Sequence, residues 1–153
     1  MTMVEAQVFL KTKIMSDKLN NKELKATYGL AILTGREKFL SFPERKEPLS
    51  FDWQDENGQE YQLQKVYFKD KEVVLKCAFL VDDNVMFWEK YNAFFKEVTK
   101  PNYQSIYIDN HDMSYECFYK SANNFNHGLK RLKNVVKVFV KFDLTLQIKF
   151  NEI

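Results

Sequence analysis

The sequence is poor in the residues that build disulfides, metal sites and phosphate-binding loops. It has 153 residues, with four glycines, three prolines, two cysteines and two histidines. Four scattered glycines cannot form a phosphate-cradling loop. We interpret Cys77 and Cys117, both within alternating apolar segments, as buried reduced thiols. His111 and His127 lie in polar stretches without a second histidine or a cysteine at metal-ligand spacing, which indicates structural or solvent-exposed roles.

Long apolar runs and an excess of one charge are also missing. No run approaches the roughly 18 apolar residues of a membrane span, and no signal-peptide pattern begins the chain. Because 23 basic residues face 21 acidic ones, for a net charge of +2, we expect neither a membrane partner nor nucleic-acid binding driven by phosphate neutralisation. We interpret the local cluster Lys130, Arg131, Lys133 and Lys137 as a solvated loop and strand face.

The remaining candidates for chemistry have simpler structural explanations. Asp82 and Asp83 stand where a helix cap is expected, rather than as a catalytic carboxylate pair. The acidic residues between 52 and 60 surround a turn and match no calcium-loop pattern. The sequence therefore predicts no catalytic, cofactor-binding or metal-ligating residue, and an enzyme is the third-ranked hypothesis.

What the chain has in quantity is aromatic and apolar residues. Hydrophobic residues make up 45% and aromatic residues 16%, including 14 phenylalanines and eight tyrosines. This composition favours strands and a dense core, and the length favours one domain over residues 1–153. We expect that domain to be cytoplasmic when it folds.

One amphipathic helix organises the middle of the chain. Asp82, Asp83 and Asn84 offer side-chain oxygens to a helix start, and Pro101 ends the pattern. Between them, large apolar residues recur at helical spacings. They are Phe87, Trp88, Tyr91, Phe94, Phe95 and Val98. We predict a helix over about 83–98 whose aromatic stripe is core.

Alternating apolar residues predict strands in most of the remaining chain. The predicted strands lie at about 4–10, 24–33, 49–54, 61–63, 73–81, 106–108, 115–119 and 136–150. Asn57-Gly58 predicts a tight type I′ hairpin turn, and polar loops are predicted at 16–23 and 121–133. The fold class is thus mainly β (α+β), a β-sandwich or open barrel of about eight strands with the helix packed on it.

This order of elements resembles the N-terminal β-sandwich domain of phage distal tail proteins, and more broadly the tail-tube fold, with parallels in Bacteroidetes prophages. The resemblance is carried by residues 29–33, 42–46, 57–58, 71–77, 87–95, 99–101, 105–108, 115–119 and 135–150. It implies a non-enzymatic structural subunit that forms a ring, expected to be hexameric, around a channel. It further implies other tail proteins as partners, and assembly in the host cytoplasm before incorporation into a virion tail. The position within the tail stays open, because many distal tail proteins carry a second domain for which residues 1–153 leave no room.

A ligand-binding β-sandwich, such as a carbohydrate-binding module, is the alternative hypothesis. Trp53, Tyr61 and the tyrosines between Tyr103 and Tyr119 would then form an aromatic platform. The missing secretion signal counts against it.

Overall fold

The computed structural model describes residues 17–128 and 138–150. Within them lie two α-helices, α1 (Leu24–Tyr28) and α2 (Asn84–Val98), and two 3₁₀ turns, Arg36–Leu40 and Asp109–His111. The strands are β1 (Lys18–Leu19), β2 (Lys22–Glu23), β3 (Leu30–Thr34), β4 (Ser50–Phe51), β5 (Glu60–Tyr61), β6 (Lys71–Val81), β7 (Gln104–Ile108), β8 (Met113–Gly128) and β9 (Val138–Ile148).

Seven strands form one open antiparallel sheet in the order β2-β1-β7-β8-β9-β6-β3, and β4 and β5 form a separate hairpin. Its strands β6 and β9 pair through eleven successive positions, from Lys71 opposite Ile148 to Val81 opposite Val138. The predicted fold class, mainly β with one main helix, is confirmed.

In β6 and β9, buried and exposed side chains alternate much as the apolar and polar residues do in the sequence. One face of β6 and β9 is buried and joins a continuous apolar core, to which α1 and α2 also contribute. The opposite face carries exposed charged residues, with Lys120 Nζ 2.9 Å from Glu72 Oε2 and Lys149 Nζ 3.2 Å from Glu116 Oε2. The helices therefore cover one face of the sheet, as amphipathic elements do.

Helix α2 begins and ends where the sequence predicts. The Oδ1 atom of Asp83 accepts a hydrogen bond from the backbone N–H of Met86 at 2.7 Å, which satisfies one of the unpaired donors of the first turn. Phe87, Phe94 and Val98 are buried. Trp88 is the exception to the predicted core stripe, because its side chain is 57% exposed. It lies one position after Phe87, about 100° around the helix and away from the sheet.

An aromatic cluster joins α2 to the sheet. The ring of Phe79 on β6 stacks on Phe142 of β9, with centroids 5.2 Å apart, and meets Phe87 and Phe94 edge to face at 5.7 and 5.9 Å. On its other side Phe142 stacks on Phe125 at 5.0 Å. Such pairs add to the stabilisation that burial alone provides.

The strand predicted over residues 24–33 is wrong in its first half. Residues Leu24–Tyr28 form α1, and only Leu30–Thr34 form a strand. Leu24 and Tyr28 are both buried, and a spacing of four places them on one face of a helix as well as on one face of a strand. Gly29, at φ +60°, ends the helix in the left-handed conformation, which glycine adopts without a steric penalty.

The loop predicted over residues 16–23 is also wrong. It contains the hairpin β1–β2, turned by Asn20 and Asn21, which both have positive φ. The Asn20 side chain donates to Glu97 Oε1 at 3.0 Å and accepts from the N–H of Ser105 at 2.8 Å. Lys100 Nζ lies 2.6 Å from Glu97 Oε2. This network ties the hairpin to the C-terminal end of α2 and to β7.

Just before the 3₁₀ turn Arg36–Leu40, the backbone at Gly35 lies close to the backbone of β6. Gly35 has φ +105°, and a Cβ atom there would lie 2.8 Å from the carbonyl oxygen of Val74. Arg36 Nη2 donates to Asp17 Oδ2 at 2.8 Å, and Asp17 is buried. The turn is therefore held to the start of β1 by an ion pair.

The polar loop predicted over residues 121–133 is wrong over residues 121–128, which belong to a strand. Strand β8 continues to Gly128, with register shifts after Tyr119 and Asn123 in its pairing with β9. Its polar residues are exposed, which explains the missing apolar alternation. The first predicted strand at 4–10, the basic cluster at 130–137 and the first two residues of the last predicted strand lie outside the described residues.

Candidate functional site

Residues 41–70 form a segment, here called the arm, that is not packed into the core. None of its thirty residues is buried, and only Pro43, Arg45, Pro48 and Phe68 are partly covered. Ordering a segment of this length costs conformational entropy that buried apolar area normally offsets. The arm is therefore the part of the described chain that most needs a partner surface.

Backbone hydrogen bonds hold the arm together along its length. The N–H of Lys46 donates to the Tyr67 carbonyl at 2.7 Å, and the N–H of Lys69 donates to the Glu44 carbonyl at 2.8 Å. Further out, β4 and β5 pair antiparallel. The arm is thus a long hairpin rather than an unstructured loop.

The hairpin predicted around Asn57-Gly58 exists, but the tight turn is wrong. Phe51 pairs with Glu60, so the connection contains residues 52–59. A type I′ turn needs positive φ at both central residues, and of the two only Gly58, at φ +77°, has it. The acidic residues that fill this connection are all exposed.

The base of the arm is attached to the sheet by aromatic contacts and one lysine. The Phe68 ring lies 5.2 Å from both Phe42 and Phe150. Lys71 Nζ donates to the Ser41 carbonyl at 2.9 Å, and burial lowers the pKa of this lysine. The root of the arm is therefore positioned firmly, whereas its outer part is not covered.

Exposed large apolar side chains are concentrated on the arm. It carries eight of the seventeen found among the described residues. They are Phe42, Leu49, Phe51, Trp53, Tyr61, Leu63, Val66 and Tyr67. This concentration of exposed apolar side chains in one segment makes the arm a candidate interaction surface.

The tip of the arm, residues 50–62, presents two aromatic rings side by side. Phe51 and Trp53 have centroids 6.3 Å apart and planes inclined by 23°. Trp53 Nε1 donates to Glu60 Oε2 at 2.9 Å, so the indole N–H is satisfied while the ring stays half exposed. Tyr61 donates its hydroxyl proton to Gln59 Oε1 at 3.1 Å.

A groove of about 420 Å³ lies between the C-terminal end of α2, the segment that leads from it into β7, and strand β8. Val98, Lys100, Tyr103 and Phe118 are among its lining residues. The rings of Tyr103 and Phe118 are 6.1 Å apart, and Lys149 Nζ lies 5.3 Å from the centre of the Tyr103 ring. This surface, here called the Tyr103 groove, combines aromatic walls with ammonium groups.

The residues singled out in the sequence for reactivity lie apart from one another and from the arm. Cys77 and Cys117 are buried free thiols, and burial raises the pKa of each to about 12. His111 Nδ1 is 3.2 Å from the Tyr115 hydroxyl, and His127 is exposed on β8. The two thiols are thus protonated near neutral pH, which removes their nucleophilic form.

The aromatic platform considered above is not brought together as one surface. Trp53 and Tyr61 lie on the arm, whereas Tyr115 is buried in the core. Tyr107 donates to Asp112 Oδ1 at 2.6 Å at the end of β7. The platform residues are therefore divided between the arm, the Tyr103 groove and the core.

Residues 17–128 and 138–150 contain neither a cluster of metal-ligating side chains nor a membrane-spanning helix. In that part of the chain no three histidine, cysteine, aspartate or glutamate side chains are grouped so that they could hold a metal ion. None of the helices there is long and apolar enough to cross a membrane.

Comparison with known proteins gives a match in structure but none in sequence. No family model and no curated protein sequence matches the chain. Among solved structures, the chain is similar to the Dit protein (gp 19.1) of phage SPP1, which is described as a paradigm of the hub adsorption apparatus in phages that infect Gram-positive bacteria. The TM-score is 0.64 at 12% identity, over 88% of this chain and 49% of Dit. The chain shares its fold with this part of Dit.

The match covers the chain well, but it covers Dit only in part. The chain spans about half the length of the Dit protein. At this identity the likeness establishes the shared fold, and the resemblance to phage distal tail proteins drawn from the sequence is supported at that level.

Proposed function

We propose that this chain is a non-enzymatic structural subunit of a phage or prophage tail, and that it self-associates into a ring through its arm. The single observation that carries the proposal is a tail-protein fold bearing a thirty-residue arm without a buried residue. An architectural subunit needs complementary surfaces rather than reactive groups. The arm supplies such a surface, with eight large apolar side chains exposed.

The geometry favours a contact between two different patches. The arm is a protruding element, and a protruding element fits a recess elsewhere on the next copy. Such a head-to-tail contact closes into a ring when a whole number of rotations from one copy to the next adds up to 360°. We propose a ring of six copies, assembled in the host cytoplasm and incorporated into the virion tail together with other tail proteins.

The proposal is tested by native mass spectrometry and electron microscopy at high protein concentration. We expect a closed oligomer for the unaltered chain and mainly monomer for the double variant Leu49→Ser, Tyr67→Ser. The matched control is Trp88→Ser, which removes an equally exposed aromatic ring from α2 and should leave assembly unchanged. A strictly monomeric particle for the unaltered chain at all concentrations would refute self-association.

Glycan binding at the tip is the second candidate, favoured by the exposed Phe51 and Trp53 rings beside the Glu60 carboxylate. Aromatic faces with a few polar neighbours are typical of small-ligand sites. A glycan array probed with the full chain tests this candidate. An array without hits removes it and leaves the structural proposal intact.

A further inference from the structure

The tip of the arm differs in charge from the rest of the molecule. Residues 50–62 contain four carboxylates and no lysine or arginine. They are Asp52, Asp55, Glu56 and Glu60, and all four are exposed. The described residues carry 17 basic and 19 acidic side chains, so setting these four negative charges aside leaves +2 on the rest of the described chain. A negative, aromatic tip is therefore suited to a surface on a second copy that presents lysine side chains beside aromatic rings.

The Tyr103 groove offers the matching chemistry on that body. Its volume, about 420 Å³, lies within the range of pockets that enclose small ligands and is large enough for an aromatic side chain. Lys100 and Lys149 each have one carboxylate partner, at 2.6 and 3.2 Å. Since an ammonium group has three N–H donors, each lysine retains the capacity to bind a second carboxylate.

The arm and the groove lie at different places across the sheet. The arm leads into the start of β6, and the groove lies beside β7 and β8. In the sheet order, β8 and β9 separate β6 from β7. Phe51 and Trp53 remain about half exposed, so the tip does not occupy the groove of its own chain. A contact between tip and groove in two copies therefore joins unlike surfaces.

We propose that the tip of one copy docks in the Tyr103 groove of a second copy. This inference rests on the proposed self-association and names its two contact surfaces. Trp53 and Phe51 pack in the groove against the aromatic wall that Tyr103 and Phe118 form together. The tip carboxylates approach the ammonium groups of Lys100 and Lys149 at the rim of the groove. Hydrophobic contact provides most of the affinity, and the charges orient the approach and exclude the reverse pairing.

A charge-swap experiment tests the pairing. Lys149→Glu should raise the dissociation constant for self-association by about tenfold, as sedimentation velocity measures it, because it places like charges together. Asp55→Lys in the tip should weaken assembly similarly, and the double variant with both changes should restore it. Lys141→Glu is the matched control, since it reverses an exposed lysine on β9, the strand that ends just before Lys149, and lies outside the groove.

A fluorescence measurement tests the contact independently of those variants. The chain has two tryptophans, so Trp88→Phe leaves Trp53 as the only source of indole emission. As concentration rises through the assembly range, emission should shift to shorter wavelength because the Trp53 ring leaves water. The shift should disappear when Tyr103→Asp is added.

The outcomes separate the two proposals. If the unaltered chain stays monomeric at all concentrations, both self-association and the tip contact are overturned. If it assembles while Lys149→Glu and Lys141→Glu behave alike and Trp53 emission is constant, the tip contact is overturned and the ring proposal stands. Rescue by the double variant, with the emission shift, supports the contact.

Discussion

Replacing Phe94 by alanine tests whether α2 is held by its aromatic core. The Phe94 side chain is 2% exposed, and its ring meets Tyr28 of α1 and Phe79 of β6 edge to face, with centroids 5.7 and 5.9 Å apart. Truncating a buried phenylalanine costs about 3–5 kcal/mol. Since two aromatic pairs of about 0.5–1.5 kcal/mol each are lost as well, we expect a value near the upper end.

Urea denaturation followed by circular dichroism measures this loss directly. A loss of about 4–5 kcal/mol corresponds to a fall in Tm of roughly 8–20 °C, at about 2–4 °C per kcal/mol for a chain of this size. The midpoint should move while the slope of the transition stays constant, because the change removes contacts and does not alter how much surface unfolding exposes.

Trp88→Ala on the same helix is the control. Its side chain is 57% exposed, so we expect a loss below about 1 kcal/mol. If Phe94→Ala fell within 1 kcal/mol of the unaltered chain, or if the two variants lost equal stability, the assignment of the buried face of α2 would be wrong.

Three further predictions concern the described core. Hydrogen bonds from Lys100 and Asn20 lower the pKa of Glu97, so the Glu97 carboxylate stabilises the fold above the ordinary carboxyl pKa and this stabilisation is lost as pH falls through the lowered pKa. Glu97→Gln should therefore reduce the fall in the free energy of unfolding at acid pH. An unchanged fall at acid pH would contradict this. Gly35→Ala should lower the free energy of unfolding by well over ~1 kcal/mol, because the added Cβ would lie 2.8 Å from a β6 carbonyl oxygen. Gly58→Ala, with nothing within 4 Å of its Cβ, should lower it by only about 1 kcal/mol because of its positive φ. Equal losses of stability in denaturation would refute the close approach at Gly35. Cys77 and Cys117, with pKa raised to about 12, should react with a thiol reagent only after unfolding, and rapid labelling of the native chain would place a thiol at the surface.

Local patterns predict the elements whose environment is uniform along their length. The core face of β6 contains Val73, Leu75, Cys77, Phe79 and Val81, so its alternation follows directly from burial on one side. The cap and proline at the two ends of α2 act within a few residues. These features are determined by short stretches of chain, and the sequence predicts them correctly.

Features decided by distant contacts are the ones that the sequence does not predict. Leu24 and Tyr28 satisfy both a strand and a helix pattern, and the choice depends on packing against α2. The second half of β8 has no apolar alternation, and its pairing with β9 alone makes it a strand.

The arm illustrates the same limit for the candidate site. Leu49, Phe51 and Trp53 alternate as in a half-buried strand, yet none of them is buried. Residues 49–53 would be buried only if they joined the main sheet, but β4 pairs with β5 alone in a separate hairpin. The four carboxylates between residues 52 and 60 were the available signal, because an acidic run without lysine or arginine is unusual in a strand that joins a core.

The long central pairing of β6 with β9 also sets the order in which the chain can fold. Lys71 pairs with Ile148, so the middle of the sheet cannot close until nearly the whole described chain has left the ribosome. At about 5–20 residues per second, the 67 residues from Val81 to Ile148 take roughly 3–13 s to synthesise. During that interval the apolar face of β6 lacks its partner strand β9, so we expect the chain to fold slowly by comparison with helical proteins.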